Sequence, residues 1–247
     1  MFGVDGGHNV RKIDGHADHD NDHEATPATR CHVGDLRRAS AGTQRGTNST
    51  SLRSGRMSPR PERRPVNQAD IVVSARVELV VLDEVLLTAF IERRLAEAAH
   101  LLDAELEPGW PDAHDEAFLR MRLDDRTSDG DAGRWGARAV IRRSSPRRMI
   151  GHAGFHGPPG VNALGLRDAV ELGYTVFAES RGMGYATEVA GALMLWAHQA
   201  QCITNFVASV SPTNAGSLAV VRKLGFVFQC EAHDEVDGLE HVYLLDR

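Results

Sequence analysis

Between residues 70 and 247, segments with two different spacings of apolar residues alternate along the chain. Short runs rich in branched side chains, such as Val77–Leu82, predict strands. Apolar positions three or four residues apart, as in Leu86–Leu106, predict helices. The predicted strands are Val77–Leu82, Ala137–Arg142, Met149–Phe155, Ala169–Phe177, Asn205–Val210, Phe226–Cys230 and His241–Leu245; the predicted helices are Leu86–Leu106, Asp115–Leu123, Gly184–Gln199 and Asn214–Leu224. This order, with a polar break at Asp124–Gly133, predicts a mixed α/β domain.

The first part of the chain lacks this pattern. Only 8 of its first 70 residues are Leu, Ile, Val or Phe. So few large apolar side chains cannot offset the entropy of ordering the segment. We therefore expect a disordered leader at residues 1–69 and one folded domain at residues 70–247. An incorrectly assigned start codon, with Met57 as a later start, is an alternative origin for the leader.

The balance of acidic and basic residues also changes near residue 70. The first 70 residues hold 11 basic and 9 acidic residues, which leaves 17 basic and 25 acidic residues, a net charge of −8, for the remainder. An acidic domain does not favour nucleic acid and suits a cationic acceptor such as an amine. The arginine-rich stretch Arg37–Arg64 leaves a nucleic-acid tether as a weaker alternative, which the acidic domain does not support.

Location follows from what the sequence lacks. No apolar stretch reaches transmembrane length, and the first residues do not have the pattern of a secretion signal. Three cysteines, Cys31, Cys202 and Cys230, match no disulfide or zinc spacing. Together these features predict a cytoplasmic protein with no membrane contact.

The loop Arg181–Ala186 is the first candidate site. Gly182 and Gly184 allow a ligand to approach the backbone closely, and the helix that follows presents free N–H groups suited to a pyrophosphate. A structural turn is the alternative for the loop alone. Two other phosphate loops fit less well, because no Gly-Lys-Ser/Thr follows and Thr187 stands where a dinucleotide loop needs Gly or Ala.

Two further segments carry candidate chemistry. Glu171 lies on a strand that leads to this loop, which makes its carboxylate a candidate general base; a solvent-facing edge residue is the alternative. Asn214 is a suitable helix N-cap, and Ser217 lies in the first turn, where its hydroxyl could simply satisfy the backbone. His152 and His156 share a strand face and could line an acceptor pocket. No further metal ligands are evident beside them, so no metal is expected.

Taken together, these segments resemble the GNAT superfamily of N-acetyltransferases over residues 71–247. Arg181-Gly182-Met183-Gly184-Tyr185-Ala186-Thr187-Glu188 is similar to the family's first signature, and Asn214-Ala215-Gly216-Ser217 followed by Val221–Phe226 is similar to its second. Within the superfamily, the pattern resembles the branch that includes ribosomal-protein N-terminal acetyltransferases and many other bacterial relatives. The resemblance implies a mostly antiparallel central sheet flanked by helices. It also implies that the strand ending at Val176–Ala178 carries a bulge and splays from the strand Asn205–Val210.

The resemblance also implies residue roles. Glu171 would act as the general base, directly or through water, and Ser217 would be the available proton donor to the departing thiolate, since no tyrosine lies on the last helix. The residues implied to contact acetyl-CoA are Val176, Phe177, Ala178, Arg181, Gly182, Met183, Gly184, Tyr185, Ala186, Thr187, Asn214 and Ser217.

The expected activity is acetyl transfer from acetyl-CoA, a co-substrate, directly to a primary amine. The acceptor would be a small-molecule amine or a protein N-terminal amine, and the protein a monomer or homodimer. A non-catalytic acyl-CoA-binding regulatory module is the alternative, because a fold can keep a ligand after losing its chemistry.

Overall fold

The computed structural model describes residues 71–128, 132–234 and 238–247. Eight strands form one sheet in the order β1-β2-β3-β4-β5-β6-β8-β7. The strands are β1 Val72–Val73, β2 Val77–Val81, β3 Arg138–Arg142, β4 Arg148–Phe155, β5 Ala169–Val176, β6 Asn205–Val210, β7 Val227–Asp234 and β8 Gly238–Asp246. The helices are α1 Glu84–Ile91, α2 Leu95–Leu102, α3 Ala113–Ser128, α4 Ala132–Trp135, α5 Tyr185–Gln201 and α6 Ala215–Leu224, with a short 3-10 helix at Ala178–Ser180.

The sheet is antiparallel except between β5 and β6. Successive strand residues bury opposite faces. Leu79 packs with residues of α5 and α6 in one core cluster, whereas Val80 packs with residues of α1, α2 and α3 in another. Helices therefore cover both faces, and the predicted mixed, mostly antiparallel α/β fold is confirmed. The leader at residues 1–69, with its arginine-rich stretch, lies outside the described residues.

The helices between β2 and β3 differ from the prediction. The predicted helix Leu86–Leu106 is two helices, α1 and α2, separated at Arg93, whose backbone is left-handed at φ 58°. The apolar spacing continues across this short break, and no glycine or proline marks it, so the sequence pattern indicated one helix. The predicted break at Asp124–Gly133 is also wrong in part, because α3 extends to Ser128 and α4 begins at Ala132.

Strands β5 and β6 separate after a short pairing. Their register covers only Ala169–Glu171 against Asn205–Val207. Beyond Glu171, β5 stays paired with β4, while β6 stays paired with β8. The sheet therefore opens into a splay between these two strands, as expected. The expected bulge at the end of β5 is not found: the register of β4 with β5 runs without a shift in the described residues.

A close backbone approach holds β4 against β5. A Cβ atom on Gly151 would lie 2.0 Å from the carbonyl oxygen of Thr175. That distance is far below van der Waals contact, and the atom it would meet belongs to the backbone. Only glycine therefore fits this position of β4 without moving the strand that borders the splay.

Cysteine chemistry departs from the prediction at one position. Cys202 is exposed and has a free thiol, while Cys230 is buried in β7 and disulfide-bonded. The interpretation of the cysteine spacing is therefore wrong for Cys230, because spacing along the sequence does not show which cysteines come close in the folded chain. None of the described helices is long and apolar enough to cross a membrane.

Candidate active site

The backbone edge of β5 faces the splay. The carbonyl oxygen of Glu171 accepts from the His156 N–H at 2.9 Å, and the Phe177 N–H donates to Ile150 at 2.9 Å, both on the β4 side. Because backbone groups of alternate residues point to opposite edges of a strand, those of the residues between them, Leu172, Tyr174 and Val176, point toward β6. These three residues lie beyond the last β5–β6 pair and form an open edge to which an extended ligand could bond.

The glycine loop lies between the end of β5 and the start of α5. Gly184 is the residue before the helix and adopts a left-handed backbone at φ 80°. Gly182 is also left-handed, at φ 75°, and no atom lies within 4 Å of the place where its Cβ would be. The loop is thus open toward solvent, and the first N–H groups of a 17-residue helix lie beside it. An anionic group is suited to such a position.

Arg76, from the turn between β1 and β2, ties this loop to the sheet. Its Nε lies 2.6 Å from Oε2 of Glu188, its Nη1 donates to the Met183 carbonyl at 3.0 Å, and its guanidinium lies 4.4 Å from the centre of the Tyr185 ring. Burial acts to raise the pKa of Glu188, but hydrogen bonds from Ser74 and Arg76 outweigh it and lower the pKa. The glycine loop is therefore shaped by a residue more than 100 positions earlier in the chain.

The other residues expected at the donor site are close to this loop. Arg181 donates from Nε to the carbonyl of Val176 at 2.9 Å, so its side chain folds back on the end of β5. Ala178 starts the 3-10 helix, and its carbonyl accepts from the Arg181 N–H at 3.2 Å. Phe177 is buried on the opposite face of the sheet, where its ring lies 5.5 Å from that of Trp110. Ala186 and Thr187 are half-buried in the first turn of α5.

The carboxylate of Glu171 is almost completely enclosed. The residue is 1% exposed. Its Oε2 accepts from the Ala163 N–H at 2.7 Å, and its Oε1 accepts from the Ser209 hydroxyl at 2.7 Å. The edge-residue alternative is therefore wrong, because Glu171 is buried at the point where β5 and β6 separate. The two hydrogen bonds to its oxygens offset the cost of burying this polar group.

A loop between β4 and β5 covers Glu171. Asn162 holds this loop in shape: its Oδ1 accepts from the N–H groups of Leu164 and Leu166, and its Nδ2 donates to the carbonyls of Leu166 and Ala169. Asn162 is itself buried. The ordered loop presents the Ala163 N–H to the carboxylate, so the enclosure of Glu171 depends on Asn162.

His156 lies at the rim of this enclosure. Its Nδ1 is 3.4 Å from Oε1 of Glu171, and its side chain is 29% exposed. A Cβ atom on Gly173 would lie 3.2 Å from its Nε2, so the ring sits over β5 beyond the last pairing with β6. The imidazole therefore connects the buried carboxylate to the opening of the splay.

His152 has a different environment. Its ring stacks on Phe118 at 4.6 Å and lies 6.3 Å from Trp110. Burial, with the positive charge of Arg122, lowers the pKa of His152 to about 4. The Asp115 carboxylate is 4.0 Å away, too far to reverse this effect, so the imidazole is neutral at physiological pH. His152, Phe118 and Trp110 form an apolar wall on the face of the sheet that carries Glu171; a role of this wall in lining an acceptor pocket stays a prediction.

The first turn of α6 faces the other side of β5. Asn214 caps this helix, since its Oδ1 accepts from the Ser217 N–H at 3.0 Å. The Tyr174 hydroxyl lies near the Ser217 side chain. Burial raises the pKa of Tyr174, and Ser217 opposes this by a smaller amount. No hydrogen bond of normal geometry joins the two groups, and the phenolic oxygen is shielded from solvent.

The fold thus brings the predicted segments to one opening but distributes them over two sides. Arg181–Ala186, Asn214 and Ser217 lie on the α5–α6 side, and Glu171 lies on the other with both histidines. The residues that the sequence pattern did not indicate are Arg76, Asn162, Ser209 and, as a partner of Ser217, Tyr174. The alternation of side chains along β5 places Tyr174 and Glu171 on opposite faces of the sheet, so the sequence could have indicated Tyr174. No local sequence signal identifies Arg76, Asn162 or Ser209. The described residues contain no cluster of three or more His, Cys, Asp or Glu side chains that could hold a metal.

Several solved structures with a similar fold are named as acetyltransferases. A candidate GNAT-family acetyltransferase from Bordetella pertussis is 20% identical, with a TM-score of 0.51 over 71% of this chain and 98% of that protein. RimL, a ribosomal L7/L12 alpha-N-protein acetyltransferase in complex with coenzyme A, is 19% identical, with a TM-score of 0.50 over 71% and 97%. The microcin C7 self-immunity acetyltransferase MccE, in complex with acetyl-CoA and AMP, is 15% identical, with a TM-score of 0.50 over 74% and 98%. No curated protein matches the chain.

At these identities the solved structures establish the fold. Membership rests on the sequence itself, since the model of the GNAT acetyltransferase domain matches residues 85–227. That range extends from α1 to the start of β7 and includes Glu171, the glycine loop and the first turn of α6. The chain belongs to the GNAT acetyltransferase family.

Proposed function

We propose that this protein transfers an acetyl group from acetyl-CoA to a primary amine carried by a small molecule or by a protein N-terminus. The observation that carries the proposal is the open edge of β5 beside the glycine loop. A donor with an extended amide-containing arm and a pyrophosphate would find backbone hydrogen bonds along Tyr174 and Val176, and helix N–H groups after Gly184.

On the α5–α6 side, the chain offers groups for the donor. Gly182, Met183 and Gly184 would approach the pyrophosphate with their backbone, and Arg181 would keep the end of β5 in place through Val176. Asn214 and Ser217 would border the arm from α6. The departing sulfur requires stabilisation as its negative charge develops, and we infer that the Tyr174 and Ser217 hydroxyls donate hydrogen bonds to it.

On the other side, the chain offers a place for the amine. The enclosed carboxylate of Glu171 supplies negative charge, and the wall of Trp110, Phe118 and His152 supplies apolar surface. The net charge of −8 after residue 70 favours the approach of a cationic acceptor. Holding both reactants at one opening can itself remove several kcal/mol from the barrier.

The test is an acceptor panel with the full-length chain and acetyl-CoA. The panel contains small primary amines, peptides with free N-termini, and the same peptides with blocked N-termini and a free lysine. Thiol release together with a mass increase of one acetyl group on the acceptor is the expected result. Turnover of the free but not the blocked peptides would identify a protein N-terminus as the acceptor class. No turnover of any member would contradict the proposal.

A second candidate follows from the burial of Glu171. Because both of its oxygens already accept hydrogen bonds, the carboxylate could be structural and the protein a non-catalytic acyl-CoA-binding module. Calorimetric titration distinguishes the two. Tight binding of coenzyme A without turnover across the panel would favour the binding module, whereas turnover excludes it.

A further inference from the structure

Glu171 is poorly placed to meet a substrate directly. It is 1% exposed, and its carboxylate is contacted by the Ala163 N–H, the Ser209 hydroxyl and the His156 imidazole. An amine could reach it only by displacing one of these groups and opening the loop that Asn162 holds. The same contacts fix the carboxylate in one orientation, which is a property expected of a residue that positions another.

His156 has the accessibility that Glu171 lacks. Its side chain is 29% exposed, with Nδ1 at 3.4 Å from Oε1 of Glu171. Its Nε2 lies above Gly173, on the acceptor face and past the end of the β5–β6 pairing. The presence of glycine at 173 leaves space for the ring at this place.

We propose that His156 accepts the proton of the acceptor amine and that Glu171 is a positioning residue, which orients the imidazole across the opening of the splay. This inference rests on the proposed function. A proton on Nδ1, which lies 3.4 Å from Oε1 of Glu171, would leave Nε2 as the basic nitrogen of the ring. Ser209 and Ala163 hold the carboxylate, the carboxylate holds the imidazole, and the imidazole meets the substrate.

In the part of the chain that the structure describes, charged groups near His156 lie on β5 and α3. Glu171, on β5, stabilises the protonated imidazole. Arg122, on α3, donates to the backbone carbonyl of His156 at 3.2 Å and opposes protonation. Asp125 lies 3.1 Å from Arg122 and offsets part of that positive charge.

His156 takes one proton from the ammonium form of the acceptor, and the freed nitrogen lone pair forms a bond to the thioester carbonyl carbon. The carbon–sulfur bond then breaks, and the electron pair leaves with sulfur. The nitrogen loses a second proton as the amide forms, which neutralises the thiolate, and His156 passes the first proton to water.

The test compares the full-length wild type with His156→Gln and Glu171→Gln, using an amine from the panel. We expect His156→Gln to lower kcat/KM for the amine about 100-fold or more and to remove the acidic limb of the pH profile. We expect Glu171→Gln to cost less and to move that limb to lower pH, because the charge that stabilises the imidazolium is gone. Added imidazole should restore part of the activity of His156→Ala.

His241→Gln is the matched control, since His241 lies 3.5 Å from the Glu231 carboxylate with a similar exposure of 28% but belongs to β8. It should behave as the wild type. A His156→Gln enzyme that keeps its rate and its acidic limb, while Glu171→Gln loses both, would overturn the assignment and make Glu171 the base. Absence of turnover by the wild type is a separate result, which contradicts the proposed function and this inference with it.

Discussion

The Nε atom of Arg76 lies 2.6 Å from Oε2 of Glu188 and so joins the turn before β2 to the first turn of α5. The same guanidinium donates to the Met183 carbonyl inside the glycine loop. The side chain of Arg76 is 47% exposed, so the ion pair contributes little to global stability. Its importance lies in the shape of the loop.

We therefore expect Arg76→Gln to weaken donor binding rather than the fold. KM for acetyl-CoA should rise about 3- to 10-fold, which corresponds to roughly 1 kcal/mol, while the free energy of unfolding should change by less than about 1 kcal/mol. Steady-state kinetics and urea denaturation measure the two quantities. Arg148→Gln is the control, because it breaks a comparable exposed pair with Glu105 at 2.9 Å away from the loop. An equal rise of KM in both variants would contradict the prediction.

Tyr174→Phe tests the group beside Ser217. The phenolic oxygen is shielded and makes no hydrogen bond of normal geometry, so its removal should leave stability unchanged or raise it by about 1 kcal/mol. If the hydroxyl protonates or solvates the departing sulfur, kcat should fall about 10- to 100-fold. Tyr243→Phe, on β8, should change neither quantity. A Tyr174→Phe enzyme with wild-type kcat would leave Ser217 as the donor.

Gly151→Ala is expected to be strongly destabilising. The added Cβ would lie 2.0 Å from the Thr175 carbonyl oxygen, so β4 or β5 must move, at a cost of about 1 to 3 kcal/mol or more. Gly191→Ala, in α5, meets no atom within 4 Å and should be neutral or stabilising by up to about 1 kcal/mol, since alanine favours a helix. Urea denaturation of both variants checks the contrast, and equal stabilities would contradict it.

His152 should make the fold sensitive to acid. Burial lowers its pKa from 6.5 to about 4. Between these two pH values His152 is therefore mostly protonated in the unfolded chain and mostly neutral in the folded protein. Stability from this group is complete above pH 6.5, falls as the pH drops toward 4, and is constant below. The total loss is about 3 kcal/mol.

The variant His152→Phe keeps an aromatic ring against Phe118 and removes the titration. The difference in the free energy of unfolding between pH 7 and pH 4.5 should therefore shrink by about 2 kcal/mol in this variant. Denaturant titration at the two pH values gives the difference. An unchanged pH dependence in His152→Phe would show that other groups cause the acid sensitivity.

Local pattern was sufficient for much of the fold. The strand that carries Glu171, the glycine loop and the Asn214 cap are each defined by residues close together in sequence, and the order of elements followed from spacing. The break at Arg93 was missed because its neighbours keep helical spacing on both sides. A non-glycine residue with a left-handed backbone does not change the spacing of apolar residues, so the sequence pattern does not reveal it.

The environment of the site could not be predicted in the same way. Ser209 meets Glu171 across 38 positions, and Arg76 meets Glu188 across 112. Such contacts depend on which strands become neighbours. Whether Glu171 would be exposed or enclosed was therefore undetermined until the position of the Asn162 loop was known.

The short pairing of β5 with β6 has a mechanical consequence. Five strands lie on one side of that junction and three on the other, and direct strand-to-strand contact between the two groups is limited to Ala169–Glu171 and Asn205–Val207. A donor bound along the open edge would act as a brace between the groups. Part of its binding free energy would then offset the entropy that the domain loses on becoming more rigid. Affinity for the donor and rigidity of the sheet would therefore change together.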